Sequence, residues 1–407
     1  MKTILATAYA INPYKGSEDG MGWNFTLQMA RFNKVIAVTR ENNREHIEKY
    51  MAEQPNKLYD NIQFLYYDLP YWMRFWKKGG RGAMLYYLMW QRGIVSFIEK
   101  QQLKFDITHN LNFHNDWTPS FLWKLKKPFV WGPVGHHPQI PTQYLKPYAF
   151  SYRIKECLTW WVKQYFWKFS PALSDTKKHA NHVICMNSSV PNALKISTQY
   201  AIIPSVATQD FGWKEPEIKS EKFSVISAGR FVPLKGFDLT IRAFAKFFHE
   251  LDIKDQSKCE LCLVGSGPEE SFLKALAEGL SVKQNIKFIS WIERKELMEK
   301  FKEASAFLFP SHEGAGMVVA EALSFGLPIV CLANEGPGEF IDTTCGFAIS
   351  SHNNYEATVN GLSASLQELF KSPAKQVEMS LAARRLFESK FHWDRRGEQL
   401  QKIYATL

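Results

Sequence analysis

Residues 223–251 read FSVISAGRFVPLKGFDLTIRAFAKFFHEL, which is one complete strand–loop–helix unit. The apolar run FSVISA predicts a buried strand, GRFVPLKG predicts a loop, and FDLTIRAFAKFFHEL has the apolar spacing of an amphipathic helix. The same alternation continues through CELCLVGSGP, SFLKALAEGL, IKFISW, SAFLFPS, MVVAEALSFG and LPIVCLA. Alternating strands and helices predict a parallel sheet with helices on both faces, that is, a doubly wound α/β domain.

The first half of the chain shows the same alternation less clearly. TILATAYA, KVIAVTR, IQFLYYDL, FDITHNL, PFVWGPV and HVICMNSS are plausible buried strands separated by spacers of helix length. A chain of 407 residues is also too long for one ordinary core. We therefore predict two Rossmann-like domains, residues 1–205 and 217–390, joined by a linker at 206–216, with a helix in 391–407 that crosses back to the first domain. Ligands of such sheets bind beyond the carboxyl ends of the strands, so two facing domains would enclose a central cleft.

Composition and targeting signals favour a folded cytoplasmic protein. The chain is 45% hydrophobic and 22% charged, which is ordinary for a globular protein. MKTILATAYA is followed at once by Asn12, Pro13 and charged residues, which predicts a first strand rather than a signal peptide. No stretch approaches the roughly 18 uninterrupted apolar residues of a membrane span. The six cysteines are scattered, and Cys259 and Cys262 lie in a strand-like run, which indicates core thiols in a reducing compartment.

The net charge of +10 lies entirely in the first half of the chain. Residues 1–210 contain 26 Lys and Arg against 14 Asp and Glu, whereas residues 211–407 contain 24 against 26. No nucleic-acid-binding motif accompanies this charge, so no nucleic-acid partner is expected. Tyr71–Arg92 and Tyr148–Phe169 mix aromatic residues with Arg and Lys, which suits either helices in a membrane interface or an aromatic core with snorkelling cations. We expect an anionic lipid surface or substrate, with peripheral attachment at the inner face of the cell membrane as one hypothesis.

Residues 312–321 read HEGAGMVVAE and lie between the strand SAFLFPS and a helix that is expected to start near Met317. The turn supplies three backbone amides, those of Gly314, Ala315 and Gly316. Amides at a helix N-terminus favour phosphate. Glu321 has apolar neighbours along the helix, so its carboxylate needs a hydrogen-bonding partner, for which a ribose diol is suitable. The alternative is that Glu313 caps the helix and Glu321 is solvated.

Loops after other strands of the second half offer further candidates for a nucleotide site. Arg230 and Lys235 lie between a strand and a helix, where two cations suit a diphosphate, although they could equally be solvated surface cations. Two other strand ends carry the short glycine turn of Gly265 and Gly267 and the pair Trp291 and Ile292. The glycine turn is expected to shape the floor of the cleft. The pair could lie against a base or belong to the core.

The segment NPYKGSEDGMGWN, residues 12–24, directly follows the first predicted strand. We interpret it as a glycine-rich loop whose amides can approach a phosphate or a sugar. Its candidate residues are Gly16, Ser17, Glu18, Gly20 and Gly22. The alternative is an ordinary flexible turn.

Histidines of the first half are candidates for acid–base chemistry or sugar binding. His109 lies at a strand end, where it could hydrogen-bond a sugar hydroxyl or share a proton, although a lone histidine is more often a core residue. Additional candidates are His114 and His136, expected on the acceptor side, and Asp116 and His137; these four could also bind metal. Their spacing selects no metal site. Because the sequence has no Asp-x-Asp motif, we expect no metal ion. We assign the neutralisation of the diphosphate charge to Arg230 and Lys235 instead.

With these motifs together, the chain resembles the retaining glycosyltransferases of family four, which have the GT-B fold. The resemblance covers nearly the whole chain, is strongest over residues 225–338, and has Glu-x7-Glu as its specific motif. It implies that Glu313 contacts the donor sugar, Glu321 the ribose, and Arg230 and Lys235 the diphosphate. It also implies that the GSEDGMGW loop closes over donor and acceptor.

One stretch departs from the pattern of that family. Its Asp-x-x-His-x-His motif reads DITHNL here, with Leu111 at the position of the second histidine. His109 therefore matches the first histidine alone, and His114 is a candidate substitute.

The resemblance implies that the chain transfers a sugar from a nucleoside-diphosphate sugar to a hydroxyl of a saccharide or lipid-linked saccharide. It further implies retention of configuration, a role in cell-surface polysaccharide or glycan assembly, and no cofactor besides the donor. Two other classes remain open. An epimerase or a glycan phosphorylase can use the same fold, and a non-catalytic membrane-surface protein would not need the paired cations and glutamates.

Overall fold

The structure, a computed structural model, describes residues 1–77, 79, 82–111, 115–215, 222–290, 292–351 and 354–407. Its contacts divide the chain into two units. The first consists of Met1–His136, Cys157–Ser205 and Trp393–Leu407, and the second consists of His137–Glu156 and Val206–His392. These bounds differ from the predicted domains because residues 137–156 group with the second unit.

The first unit contains a seven-stranded parallel sheet. Its strands are β1 (Thr3–Ala8), β2 (Lys34–Thr39), β3 (Ile62–Tyr66), β4 (Ile107–Leu111), β5 (Phe129–Val134), β6 (His182–Cys185) and β7 (Gln199–Ile202). They lie in the order β3-β2-β1-β4-β5-β6-β7, and every pairing is parallel. The chain reverses its direction across the sheet between β1 and β4. All six strands expected from the apolar runs of the first half are present.

The second unit contains a six-stranded parallel sheet. Its strands are β8 (Phe223–Ala228), β9 (Cys259–Val264), β10 (Ile286–Ile289), β11 (Ala306–Phe309), β12 (Ile329–Leu332) and β13 (Gly346–Ile349). Their order is β10-β9-β8-β11-β12-β13, again with parallel pairings. Here the order reverses between β8 and β11. The central strands are almost fully buried, as expected for a sheet covered on both faces.

Helices connect the strands of both sheets. In chain order they are α1 (Ser17–Ala30), α2 (Arg44–Glu53), α3 (Tyr71–Arg74), α4 (Ala83–Lys100), α5 (Thr142–Leu145), α6 (Phe150–Phe169), α7 (Pro171–His179), α8 (Ser189–Leu194), α9 (Phe237–His249), α10 (Ile253–Gln256), α11 (Glu270–Gly279), α12 (Arg294–Glu303), α13 (Met317–Ser324), α14 (Pro337–Phe340), α15 (Tyr355–Lys371), α16 (Pro373–Leu386) and α17 (Trp393–Ala405). Across the described residues, none of them combines the length and the apolar character that crossing a membrane requires. The helix α6 begins in the second unit and ends in the first.

Each unit has its own apolar core. In the second unit, α9 directs Phe237, Ile241, Phe244 and Phe247 into a cluster with β8 and α15. This helix follows the apolar spacing of the sequence quoted above. In the first unit, α17 packs along α1, with the rings of Phe25 and Trp393 5.5 Å apart.

The predicted glycine-rich loop at residues 16–22 is corrected by the structure. The helix α1 begins at Ser17, so Gly20 and Gly22 lie inside it and are buried. A Cβ atom at Gly20 would lie 2.4 Å from the carbonyl oxygen of Lys15. The glycine is therefore explained by the close approach of the preceding turn to the helix.

Candidate functional site

The strongest candidate site lies at the carboxyl ends of β8 and β11, where the strand order of the second sheet reverses. Open α/β sheets bind their ligands at such a switch point. Three loops meet there, namely residues 229–236 after β8, residues 310–316 after β11 and residues 333–336 after β12.

Hydrogen bonds join these three loops to one another. The hydroxyl of Ser311 and the amide of His312 both donate to the carbonyl oxygen of Leu234, at 3.2 and 2.9 Å. The side-chain amide of Asn334 donates to the carbonyl oxygen of Ser311 at 2.6 Å. The loop that carries Glu313 is thus fixed from both sides.

Lys235 and Glu313, predicted to bind the diphosphate and the donor sugar, form an ion pair in this structure. The ammonium nitrogen lies 2.6 Å from a carboxylate oxygen, and the two side chains are only 18% and 16% exposed. Lys235 Nζ also lies 5.2 Å from the ring centre of Phe309. Arg230 is exposed and forms no ion pair with any residue that the structure describes. The loops therefore hold one paired cation and one available cation.

The turn of Gly265 and Gly267 supports the loop that carries Arg230. Phe231 N–H donates to the carbonyl oxygen of Ser266 at 2.9 Å, and Gly265 has φ +151°. A Cβ atom at Gly265 would lie 1.9 Å from the carbonyl oxygen of Gly229. Only glycine permits this approach of the two loops.

Glu321 is buried on α13 and is paired with Arg294, which lies at the start of α12. The guanidinium and carboxylate groups are 2.7 Å apart. Burial raises the pKa of Glu321, while the charge of Arg294 acts in the opposite direction. The need of this carboxylate for a partner was expected from its apolar neighbours. The sequence did not predict that this partner is Arg294, because nothing in its local sequence distinguishes Arg294 from other surface cations.

A segment that the sequence did not connect with this site also reaches it. His137 Nδ1 accepts a hydrogen bond of 2.9 Å from the amide of Gly314. The same segment continues to Tyr144, whose hydroxyl donates to the carbonyl oxygen of Ser351 at 2.8 Å. It also includes Tyr148, whose hydroxyl donates to the carboxylate of Asp238 at 2.5 Å. Residues 137–156 are therefore attached to the rest of the second unit at three points.

The remaining candidates of the second unit have structural surroundings. Ala315 and Ile292 pack against the apolar cluster beneath α13, and Gly316 caps that helix. Trp291 lies outside the described residues. Ile292 thus fits the core alternative that the sequence left open.

His109, a candidate acid–base residue, is fully enclosed in the first unit. Its Nε2 donates to the carbonyl oxygen of Gly132 at 2.8 Å, and its Nδ1 accepts from the hydroxyl of Tyr404 at 2.5 Å. Burial lowers its pKa to about 4. With both ring nitrogens occupied, His109 fits the alternative of a core histidine.

Other first-unit candidates form a separate pair. His136 Nδ1 is hydrogen-bonded to the carboxylate of Asp116, and both side chains are buried. The indole of Trp167 donates to the carbonyl oxygen of Asp116 at 3.0 Å. His114 lies outside the described residues. Ser17 is exposed at the start of α1, and burial together with the neighbouring Asp19 raises the pKa of Glu18.

Among the residues described, no three His, Cys, Asp or Glu side chains are grouped so that they could hold a metal ion. At this site the carboxylates of Glu313 and Glu321 are paired with Lys235 and with Arg294, whose side chain is 45% exposed.

Comparison with known proteins places this site in the matched region. Residues 210–385 match the family model described as glycosyl transferases group 1. A GDP-mannose-dependent monoacylated alpha-(1-6)-phosphatidylinositol monomannoside mannosyltransferase of Corynebacterium glutamicum is 30% identical over 185 residues, which are 44% of this chain and 45% of that protein. The matches thus span about half the length of the curated relatives.

Solved structures resemble the whole chain. WaaG, a glycosyltransferase involved in lipopolysaccharide biosynthesis, superposes with a TM-score of 0.61 at 17% identity, covering 98% of this chain and 99% of that one. Anabaena Alr3699/HepE in complex with UDP and glucose gives a TM-score of 0.64 at 14% identity and covers both chains fully. At these identities the likeness shows the fold, which is the two-domain α/β GT-B fold predicted above.

Proposed function

We propose that this chain, in which residues 210–385 match the group 1 glycosyl transferases, transfers a sugar from a nucleoside-diphosphate sugar to a hydroxyl of a saccharide or lipid-linked saccharide. The observation that carries the proposal is the ion pair of Lys235 and Glu313 at the switch point of the second sheet. A WaaG-like fold and a matched relative that acts on a phosphatidylinositol mannoside support a role in surface polysaccharide or glycolipid assembly. Such a role fits a cytoplasmic protein.

In the proposed reaction, the bond between the anomeric carbon and the diphosphate breaks and a bond to the acceptor oxygen forms with retention. The acceptor proton passes to the diphosphate or to solvent. Negative charge develops on the departing diphosphate, and fixed cations at that point stabilise the transition state. Arg230 supplies one exposed cation, and Lys235 supplies a second when the diphosphate competes with Glu313 for it. No metal is required in this scheme.

The two glutamates then have different roles. Glu313 turns from Lys235 to the hydroxyls of the donor sugar, and Glu321 accepts hydrogen bonds from the ribose while Arg294 holds its carboxylate in place. The amide of Gly314 exchanges its hydrogen bond to His137 for a phosphate oxygen, and Gly316 lies at the N-terminus of α13 next to it. The Anabaena neighbour, solved with UDP and glucose, supports a donor of this chemical class.

Two measurements test the function. A panel of nucleotide sugars is first screened for thermal stabilisation, since a ligand at a hundred times its dissociation constant adds about 2.7 kcal/mol. The best donor is then used in a transfer assay with saccharide and lipid-linked acceptors. Sugar conversion without any acceptor would identify an epimerase instead, and a requirement for inorganic phosphate would identify a phosphorylase.

The site assignment is tested in the same assay. Lys235→Ala and Glu313→Ala are each expected to abolish transfer while the folded protein is retained. Lys274→Ala is the matched control, because Lys274 is half exposed and paired with Glu270 on α11. Near-normal transfer by either site variant would refute the assignment.

A further inference from the structure

The helix α6 has an unusual distribution of apolar residues. None of its 20 residues is buried. Seven of its large apolar side chains are between 44% and 73% exposed, namely Phe150, Ile154, Leu158, Trp161, Val162, Tyr165 and Phe169. Single exposed apolar residues are ordinary on protein surfaces, but a contiguous set of this kind marks an interaction site.

These seven side chains form one continuous stripe along the helix. At about 100° per residue they fall within an arc of roughly 120°, and the helix is about 30 Å long. The opposite face holds the helix on the protein. Trp167 donates from its indole to the carbonyl oxygen of Asp116, and Trp160 lies 6.1 Å from the ring of His136. The apolar stripe therefore faces solvent although the helix is anchored by its other face.

Positive charge borders this stripe. Lys155 and Lys168 are exposed, and Glu156 is the one acidic residue within the helix. Arg153 is bound to the carbonyl oxygens of Leu145 and Lys146, at 3.1 and 2.8 Å. Residues 1–210 as a whole carry the entire positive excess of the chain. A partner for this surface must be apolar beneath the stripe and negative at its edges.

We propose that α6 docks on the surface of an anionic phospholipid bilayer, lying in the interface with its apolar stripe among the acyl chains. An exposed apolar face with Trp and Phe, bordered by lysines, is the pattern of interfacial helices. The lysines then meet anionic headgroups at the edge of the stripe. A second copy of the chain is a poorer occupant, because it would bring the same positive charge against itself. This inference goes beyond glycosyl transfer and does not depend on it.

Vesicle binding tests the proposal directly. The full chain is sedimented with phosphatidylcholine vesicles that contain or lack phosphatidylglycerol, at low and high salt. We expect binding to the anionic vesicles that weakens at high salt. A variant with Leu158→Glu, Trp161→Glu and Tyr165→Glu is expected to lose at least roughly tenfold in affinity for the anionic vesicles, because charges replace the inserted apolar groups. Ile253→Glu, at an 86% exposed position on α10, is the matched control and should bind like the wild type.

A second readout locates the contact on the helix. Cys157 is the one exposed cysteine of the six and lies beside the stripe. A polarity-sensitive fluorophore attached to Cys157 should shift to the blue on addition of anionic vesicles. Thermal stabilisation by a nucleotide sugar should be the same in the wild type and the triple variant, which separates this proposal from the proposed function.

Three outcomes would overturn the proposal. They are wild-type protein that does not bind anionic vesicles, a triple variant that binds them as well as the wild type, and a label at Cys157 that does not respond. If the wild type is instead a dimer that the triple variant dissociates, the stripe binds a second copy.

Discussion

Apart from the exposed Arg230, the main groups expected to hold the donor already have partners within the second unit. Lys235 is paired with Glu313, Glu321 is paired with Arg294, and the amide of Gly314 donates to His137. A donor must therefore displace these internal partners before it can bind the groups that they occupy. The affinity for the donor then depends on the free energy needed to displace each internal partner, because binding replaces one hydrogen bond with another.

His137 offers the clearest test of this exchange. His137→Phe keeps an aromatic ring but removes the acceptor of the Gly314 amide, so a phosphate oxygen no longer has to displace the imidazole nitrogen from it. One hydrogen bond contributes about 0.5–1.5 kcal/mol, so we expect the dissociation constant of the nucleotide sugar to fall roughly twofold to tenfold. Titration calorimetry measures it. His249→Phe is the control, because His249 is exposed and bonded to the carbonyl oxygen of Leu280. Weaker binding by the His137 variant would mean that the ring holds the turn in its binding conformation.

The residues of this site were only partly predictable from the sequence. Arg230, Lys235, Glu313 and Glu321 follow from strand ends and motif spacing, because such positions can be read along the chain. Their partners were not predictable, since His137 is 177 residues from Gly314 and only the folded chain brings them together. The sequence predicted a reactive His109 at a strand end, yet its Nδ1 is hydrogen-bonded to the hydroxyl of Tyr404, nearly 300 residues away.

Among the elements, α9 carries a buried carboxylate that should make stability depend on pH. Asp238 accepts hydrogen bonds from Tyr148 and Tyr355, but burial outweighs them and raises its pKa. The folded state therefore holds the proton more tightly than the unfolded chain. The stabilisation from this group is fully present below the ordinary pKa of aspartate and is lost as the pH rises through the raised pKa.

Asp238→Asn removes this dependence. The free energy of unfolding of the variant, relative to wild type, should increase with pH between the ordinary pKa of aspartate and the raised pKa of Asp238, and then level off. Urea denaturation at a series of pH values measures it. Tyr355→Phe removes one hydrogen bond to the carboxylate and should extend the window to higher pH. A relative stability that decreases with pH would show that the carboxylate is preferentially ionised in the folded protein.

The paired loops after β8 and β9 give a second prediction at this scale. Gly265→Ala introduces a Cβ atom 1.9 Å from the carbonyl oxygen of Gly229, in a backbone conformation that disfavours side chains. We expect a loss of more than about 1 kcal/mol in stability and weaker nucleotide-sugar binding, because the loop of Arg230 must move. Gly279→Ala is the matched control. Its Cβ atom would meet no atom within 4 Å at the end of α11, and it should gain up to about 1 kcal/mol. Equal stability of both variants would contradict the close approach.

The elements themselves were more predictable than the site contacts. Strands such as β8 and helices such as α9 have a strong apolar period, and the structure confirms them. The start of α1 was misjudged because Gly16, Gly20 and Gly22 disfavour a helix locally. Tertiary packing overrides that preference, since Met21, Trp23 and Phe25 on the same helix are buried.

At the scale of the whole molecule, each unit includes a segment that is distant from the rest of it along the chain. Residues 393–407 group with the first unit, and residues 137–156 group with the second. The predicted GT-B fold is confirmed, since alternation and length suffice to indicate two doubly wound domains. The assignment of residues 137–156 could not be predicted, because it depends on individual contacts of His137, Tyr144 and Tyr148.

Removal of residues 393–407 tests the dependence of the first unit on α17. The deletion exposes the face of α1 and leaves the Nδ1 atom of His109 without the hydroxyl of Tyr404. We expect amide hydrogen exchange to accelerate in α1 and β4, whereas β8 and β11 keep their protection. Tyr404→Phe should show a weaker form of the same effect, since an unpaired buried acceptor costs about 1–3 kcal/mol. Unchanged exchange in β4 would contradict this role of α17.

The order of the segments along the chain also matters while the protein is being synthesised. A ribosome has made all of the second unit when it reaches His392, but the first unit still lacks α17 at that point. The first unit is therefore completed after the second, and the apolar face of α1 stays uncovered until α17 has been made. Until α17 emerges, this apolar surface of the nascent chain favours aggregation.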